Sequence, residues 1–191
     1  MLEIIIQGRG GQGAQTAGNL LAQAFFREGK EVQSFATYGG ARRGTPVNST
    51  IRVDDKPVRL RCDIGQADAI LCFDRSLLNA GLLQRANRDT LIMVNSAGSP
   101  EDHPNPDNYR IFPIDAVTIA RENGLGRIVN SALLGAFGCL LGAPCVDTMS
   151  ETIRESAPVK PDENVAACRA GYEMAMRQFA RCEPVREAGA T

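Results

Sequence analysis

The first thirty residues constrain this chain more than any others. Leu2 to Gln7 is a short apolar run of the kind that forms a buried strand of a parallel sheet. Gly8-Arg9-Gly10-Gly11-Gln12-Gly13 cannot continue that strand. From Ala14 the period changes, and Ala17, Leu20, Leu21, Ala24 and Phe25 share one face of a helix that Gly29 would stop. Val32 to Ala36 then reads as a second strand. Strand, glycine turn, helix and strand commit the chain to an α/β fold, Rossmann-like, with a mainly parallel sheet and helices on both faces.

The texture changes at Thr37-Tyr38-Gly39-Gly40-Ala41-Arg42-Arg43-Gly44-Thr45-Pro46, a glycine-rich loop with two adjacent arginines. The alternation of Val47 to Val53, a turn at Asp54-Asp55-Lys56 and a return through Pro57 to Arg61 predict an inserted antiparallel hairpin. Strands follow at Ala69–Phe73, Thr90–Val94 and Tyr109–Pro113. Helices are expected at Leu77–Arg85, from Ala116 to Glu122, over Asn130–Leu141, from Glu151 and over Val165–Phe179. The helix at Asn130 is rich in small residues (Ala132, Gly135, Ala136, Gly138) and is expected to be an intramolecular packing face. No linker or repeat divides the chain, so residues 1–182 are expected to be one domain and 183–191 a flexible tail.

Composition removes several classes of function. The 191 residues are 43% apolar and 23% charged, with a net charge of −1. That is ordinary globular composition without the cationic excess of a nucleic-acid-binding protein. No apolar run is long enough to span a membrane, and no basic-then-apolar leader is visible, so a cytoplasmic location is expected. The six cysteines are spread out, with no CxxC pair. They are expected to be buried free thiols in a reducing compartment, without a metal. His103, the single histidine, lies in a proline-rich loop and is expected to be solvated, a poor place for a catalytic base.

Gly8-x-Gly10-x-x-Gly13 between a strand and a helix is the context of a dinucleotide fingerprint, where backbone and helix N-terminus approach a phosphate. Such a fingerprint expects an acidic residue at the end of the second strand. Here Gln33-Ser34-Phe35-Ala36-Thr37 offers none, and Glu31 stands at the opposite end. On the residues alone, the glycines either bind NAD(P) or make a tight turn for close packing, including packing on another subunit. Asn95 and Ser96 close a strand at its C-terminal end, the edge where α/β sheets place ligands, and also fit a turn.

Two segments together carry a family resemblance. Gly8-Arg9-Gly10-Gly11-Gln12-Gly13-Ala14-Gln15-Thr16-Ala17 resembles the GRGGQGAxTA opening of 2-oxoacid:ferredoxin oxidoreductase gamma subunits. Tyr38-Gly39-Gly40-Ala41-Arg42-Arg43-Gly44-Thr45-Pro46-Val47 resembles their FGxERRGxPV loop, although Ala41 stands where many relatives carry glutamate. The segments Ile51–Arg59, Asn130–Phe137, Asp162–Val165 and Gly171–Glu173 are similar in the same order, so the likeness spans nearly the whole chain.

The resemblance implies a multi-subunit enzyme that decarboxylates a 2-oxoacid oxidatively on thiamine diphosphate and Mg2+, forming an acyl-CoA from CoA. Electrons leave through [4Fe–4S] clusters to ferredoxin, or through FAD or NAD on other subunits. It implies alpha, beta and ferredoxin-like delta partners and a non-catalytic role for this chain. Pyruvate, 2-oxoisovalerate, 2-oxoglutarate and aromatic 2-oxoacids such as phenylglyoxylate are substrates of the family. The site it marks comprises the Gly8–Gly13 loop with Arg9 and Gln12, the Tyr38–Gly44 loop with Arg42 and Arg43, and Asn95. Arg42 and Arg43 are expected at a polar subunit boundary, facing CoA phosphates or partner carboxylates. A free-standing NAD(P)-dependent oxidoreductase and a purely structural assembly subunit remain the alternatives.

Overall fold

The computed structural model describes residues 1–38, 44–103, 105 and 107–179, the side chain of Tyr38 excepted. Among these residues six strands form one sheet in the order β2-β3-β1-β4-β5-β6. They are β1 (Leu2–Arg9), β2 (Glu31–Tyr38), β3 (Pro46–Asp54), β4 (Ala69–Cys72), β5 (Leu91–Asn95) and β6 (Arg110–Ile114). β1, β4, β5 and β6 pair in parallel, while β3 runs antiparallel to both β1 and β2. The α/β class with a mainly parallel sheet and an antiparallel hairpin is therefore as expected.

The hairpin is built differently from its prediction. Its arms are β2 and β3, and residues 57–61 form no strand. With β1 on one side and β2 on the other, β3 has no free edge left for a return arm. The strand β1 also runs past its expected end, because Gly8 and Arg9 find partners in Val47 and Pro46.

The helices are α1 (Ala14–Arg27), α2 (Ala80–Leu83), α3 (Ala116–Glu122), α4 (Asn130–Leu141), α5 (Val146–Ser156) and α6 (Pro161–Phe179). The expected helix at 77–85 is instead a 3-10 turn, Arg75–Leu77, followed by α2. Asn79 breaks the run by accepting from Gly81 N and Leu82 N, a side-chain cap that restarts the helix. Both α5 and α6 begin earlier than predicted. Pro161 opens α6, as its fixed φ and missing N–H suit a first helical position.

The two faces of the sheet are covered unequally. Ile4, Ile6, Leu71 and Met93 point into a core roofed by α1 and α3–α6. Ile5, Ile70 and Ile92 on the other face meet only the Arg75 turn, α2 and the loop around Ile64 and Ala67. Burying each such aliphatic side chain contributes about 1.5–3 kcal/mol. Across β1, β3 and β2 the second face turns polar. Arg52, 4% exposed, reaches Glu3 Oε1 at 2.7 Å and Gln33 Oε1 at 3.4 Å, while Phe35 is left 48% exposed.

The helical roof is closed by α4 against α6. A Cβ on Gly135 would lie 1.8 Å from the Cys168 carbonyl oxygen, and one on Gly171 would lie 2.1 Å from that of Ala132. The small-residue helix is thus an intramolecular packing face, as expected. Of the described cysteines, Cys72 and Cys168 are buried, and burial pushes each thiol up to about 12. Cys62 and Cys145 are exposed, against expectation; Cys182 and the tail lie outside the described residues. No helix among the described residues is long and apolar enough to cross a membrane.

Candidate functional site

The C-terminal ends of β1 and β4 bring the glycine loop into a network with Asp74. Leaving β1, the chain turns at Arg9, with Gln12 N donating to Arg9 O at 2.9 Å. The Gln12 side chain closes the loop from within: Arg9 N donates to its Oε1 at 2.7 Å, and its Nε2 donates to Asp74 Oδ2 at 3.2 Å. The Arg9 guanidinium spans three partners, Asp74 Oδ2 at 3.0 Å, Ser76 Oγ at 2.7 Å and the Gly44 carbonyl at 3.1 Å. Burial pushes the Asp74 carboxyl up, but donation from Ser76, Gln12 and Arg9 outweighs it and holds the group below the ordinary aspartate value. Sequence reasoning passed over Asp74 and Ser76. The one local signal is the Asp-x-Ser pattern after β4, in which Asp74 caps the turn by accepting from Ser76 N.

The same loop is tied to the described end of the arginine loop. Gly10 N donates to Thr45 O at 2.8 Å and Gly44 N donates to Gly10 O at 3.2 Å. The two motifs, about thirty residues apart in sequence, therefore share one backbone framework. Gly39, Arg42 and Arg43 lie outside the described residues. Tyr38 ends β2 opposite Val47.

Gly13 carries a positive φ of 87° at the N-cap of α1, a conformation that costs a side-chain-bearing residue about 1–2 kcal/mol. A Cβ there would also lie 2.2 Å from Asn130 Nδ2, and that amide donates to Gly13 O at 3.3 Å. Likewise, a Cβ on Gly8 would lie 2.9 Å from that of Ala14. Both outer glycines are required by packing inside this chain. Beside Asn130 a mostly apolar groove of about 180 Å3 opens between α1, α4 and the α5–α6 connection, lined by Thr16, Leu20, Ile128, Ile153 and Val159.

The other predicted residues fall elsewhere along this edge. Asn95 is a cross-brace: its Nδ2 donates to Phe73 O at 3.3 Å and its Oδ1 accepts from Ala116 N at 3.2 Å. Ser96 makes a turn, its Oγ accepting from Gly98 N at 3.1 Å.

His103 is buried, 7% exposed, which corrects the expectation of a solvated loop histidine. Ser99 N and Oγ both donate to Asp102 Oδ2, at 2.7 and 3.2 Å, and fold the loop back on itself. His103 Nε2 is buried and makes no hydrogen bond. Burial, then the nearby Arg75 charge, lowers its pKa, with Asp102 opposing. At and above neutral pH the imidazole is neutral whether the chain is folded or not. Below the unfolded value of 6.5 the unfolded chain takes up a proton that the folded chain resists, so stability falls with pH until the folded group also titrates. Thermal melts at pH 7.5 and 5.5 are expected to show a larger loss for the wild type than for His103→Gln; equal losses would discard this account.

Comparison with known proteins places the chain in one group. The family model for pyruvate ferredoxin/flavodoxin oxidoreductase matches residues 3–174. Pyruvate synthase subunit PorC of Methanothermobacter marburgensis is 39% identical over 176 residues, covering 91% of this chain and 97% of its own. The common subunit gamma of the pyruvate/ketoisovalerate oxidoreductases of Pyrococcus furiosus is 38% identical over 180 residues, covering 91% and 96%. Among solved structures, pyruvate oxidoreductase subunit PORC of Thermotoga maritima superposes with a TM-score of 0.79 at 30% identity, over 90% of this chain and 95% of that one.

Proposed function

The chain belongs to the pyruvate ferredoxin/flavodoxin oxidoreductase family as a gamma-type subunit of a 2-oxoacid:ferredoxin oxidoreductase, and from that premise we propose that it is a non-catalytic boundary piece of the complex. In this reading the complex converts a 2-oxoacid and CoA to acyl-CoA and CO2, and electrons pass through iron–sulfur clusters to ferredoxin or NAD. Thiamine diphosphate, magnesium and the clusters sit on alpha, beta and ferredoxin-like delta partners. Among the described residues of this chain no three His, Cys, Asp or Glu side chains converge, so the described side chains offer no ligand set for a cluster. The relatives' names favour pyruvate or a branched-chain 2-oxoacid as substrate.

The observation that supports this role is the lashing of the two motifs. Gly10 to Thr45, Gly44 to Gly10 and Arg9 to Gly44 join the glycine loop to one root of the segment bearing Arg42 and Arg43, and the other root, Tyr38, pairs with Val47 in the sheet. A planar, always-charged guanidinium suits bidentate recognition of carboxylate or phosphate. In this reading the pair meets CoA phosphates on their way to the thiamine site, or carboxylates of alpha or beta. Arg9 and Gln12 then serve as internal fasteners, with both side chains already engaged within the chain.

The test uses the complex purified with its native partners and assayed for 2-oxoacid- and CoA-dependent dye reduction. Converting Arg42 and Arg43 together to alanine is expected to raise the KM for CoA about tenfold or more, equivalent to ~1.4 kcal/mol, or to release this chain from the complex. Unchanged assembly and unchanged CoA dependence would reject the role. Spectral titration of the isolated chain with NADPH showing tight binding would reject the subunit reading itself.

A further inference from the structure

The polar face of β2, β3 and β1 is arranged in rows, because residues opposed in register stand side by side on one face of a sheet. One row is complete. Gln33, Arg52 and Glu3 oppose one another, and Arg52 donates to Glu3 Oε1 at 2.7 Å and to Gln33 Oε1 at 3.4 Å. Four residues along the strands, on the same face, Asn48 opposes Gln7. This row is incomplete. Gln7 Oε1 and Asn48 Oδ1 are both buried, and neither accepts a hydrogen bond among the described residues.

A buried acceptor without a donor is uncommon and points to a missing partner. Here two such acceptors are neighbours. Opposed residues of antiparallel strands have Cβ atoms about 4.5–5.5 Å apart, so one donor group can serve both oxygens. The two arginines that the strands place on this face are engaged elsewhere. Arg52 is held by Glu3 and Gln33. Arg9, two residues beyond Gln7, donates to Asp74, Ser76 and the Gly44 carbonyl. On the other side of Gln7 stands Cys72, whose thiol donates to the Asp74 carbonyl at 3.1 Å. As whole residues Gln7 and Asn48 are only half-buried, so the row borders solvent although its oxygens do not.

We propose that the Gln7–Asn48 pair receives the guanidinium of an arginine side chain from a neighbouring subunit of the complex. Both orphaned atoms are acceptors, so the occupant is a donor. Neither residue is a carboxylate, which removes the ligands a divalent metal requires. The complete row shows what this face holds: a guanidinium between side-chain oxygens of adjacent strands. Such a group presents several N–H donors in a fixed fork and no acceptor of its own, which matches two oxygens side by side. The inference rests on the reading of this chain as a subunit, and it names the surface that takes a partner's side chain.

The test makes two measurements on one double variant, Gln7→Met with Asn48→Leu, which keeps the bulk and removes both acceptors. Thermal melts of the full chain alone are expected to give a Tm equal to or above that of the wild type, because unpaired buried acceptors have been taken away. Recovery of the variant in the complex purified with its native partners is expected to fall tenfold or more, because the incoming guanidinium loses its acceptors. Asn48→Asp is expected to keep that recovery and make it more sensitive to salt, since a carboxylate then meets the cation. A double variant that melts below the wild type overturns the proposal, by showing that the two amides, or a water between them, already satisfy each other within the chain. Undiminished recovery of the double variant overturns it as well. So does a loss for Asn48→Asp as large as for the double variant, which would mean that the occupant is not a cation. A wild-type chain found in no complex would remove the subunit reading and this inference with it, whereas the other outcomes bear on this inference alone.

Discussion

Gly135→Ala is expected to cost at least about 3 kcal/mol of stability, at or above the upper end for forcing extra atoms into a close-packed interior. The added methyl would meet a backbone oxygen at 1.8 Å, and a carbonyl within a helix cannot rotate away as a side chain does. Either α4 and α6 separate or α6 bends. Both outcomes loosen the core in which Ala132, Ala136 and Phe137 are fully buried beside Ala167 and Cys168. Gly171→Ala repeats the insult from the other helix, and the double variant is expected to be unfolded or aggregated. Urea denaturation followed by circular dichroism measures this directly. A midpoint for Gly135→Ala within error of the wild type would mean that the contact is looser than described.

The second large effect is expected at Asp74. Asp74→Ala removes the acceptor shared by Arg9 and Gln12 and the cap of the Arg75 turn. The carboxylate and guanidinium are partly exposed, so the loss in global stability is about 1–2 kcal/mol. The effect on assembly is of similar size. Without Asp74 the Arg9 and Gln12 side chains lose the acceptor that ties the loop to the end of β4, while the backbone bonds to Gly44 and Thr45 stay, and recovery of this chain in the purified complex is expected to fall about tenfold for a coupling loss of ~1.4 kcal/mol. Asp74→Asn keeps an acceptor and should recover part of it. Because the Asp74 pKa is held below its ordinary value, the brace is complete above the unfolded value of 3.8 and is lost as pH falls below it. Its pH window therefore lies below that of His103. Normal assembly of the Asp74→Ala chain would show that the brace is not what organises the loop.

The parts of the fold that could be read from the residues are those with local causes. The β1–loop–α1 opening, α3 and α4 stand close to where the residues put them, although β1 runs on to Arg9 and α4, buried nearly all round, was marked by its small residues and not by a period. The hairpin was misread because Val58 and Leu60 alternate as a strand would. Whether a stretch becomes a strand depends on a vacant neighbour, and β3 had none. Asp74 escaped notice because its partner Arg9 is 65 positions away and no local spacing encodes that meeting. His103 was misjudged because a proline-rich loop reads as solvated, whereas the Ser99–Asp102 bonds turn it inward. The glycine loop itself was legible, but its packing reason was not, because Asn130, which a Cβ on Gly13 would meet, lies 117 positions away.

The strand order also sets a timetable for synthesis. The three strands β2, β3 and β1 are adjacent in the sheet and are all complete, with α1, once residue 54 has left the ribosome. A contiguous unit of that kind finds all its pairing partners within the first 54 residues and can form early. The glycine loop and its hydrogen bonds to Gly44 and Thr45 can therefore be shaped on the nascent chain. The Asp74 fastener emerges about twenty residues later, and the contact of α4 with α6 at Gly135 and Gly171 comes last. The framework of the candidate site is laid down before most of the roof exists, so a ribosome-bound fragment ending soon after Asp74 should already hold the two motifs together.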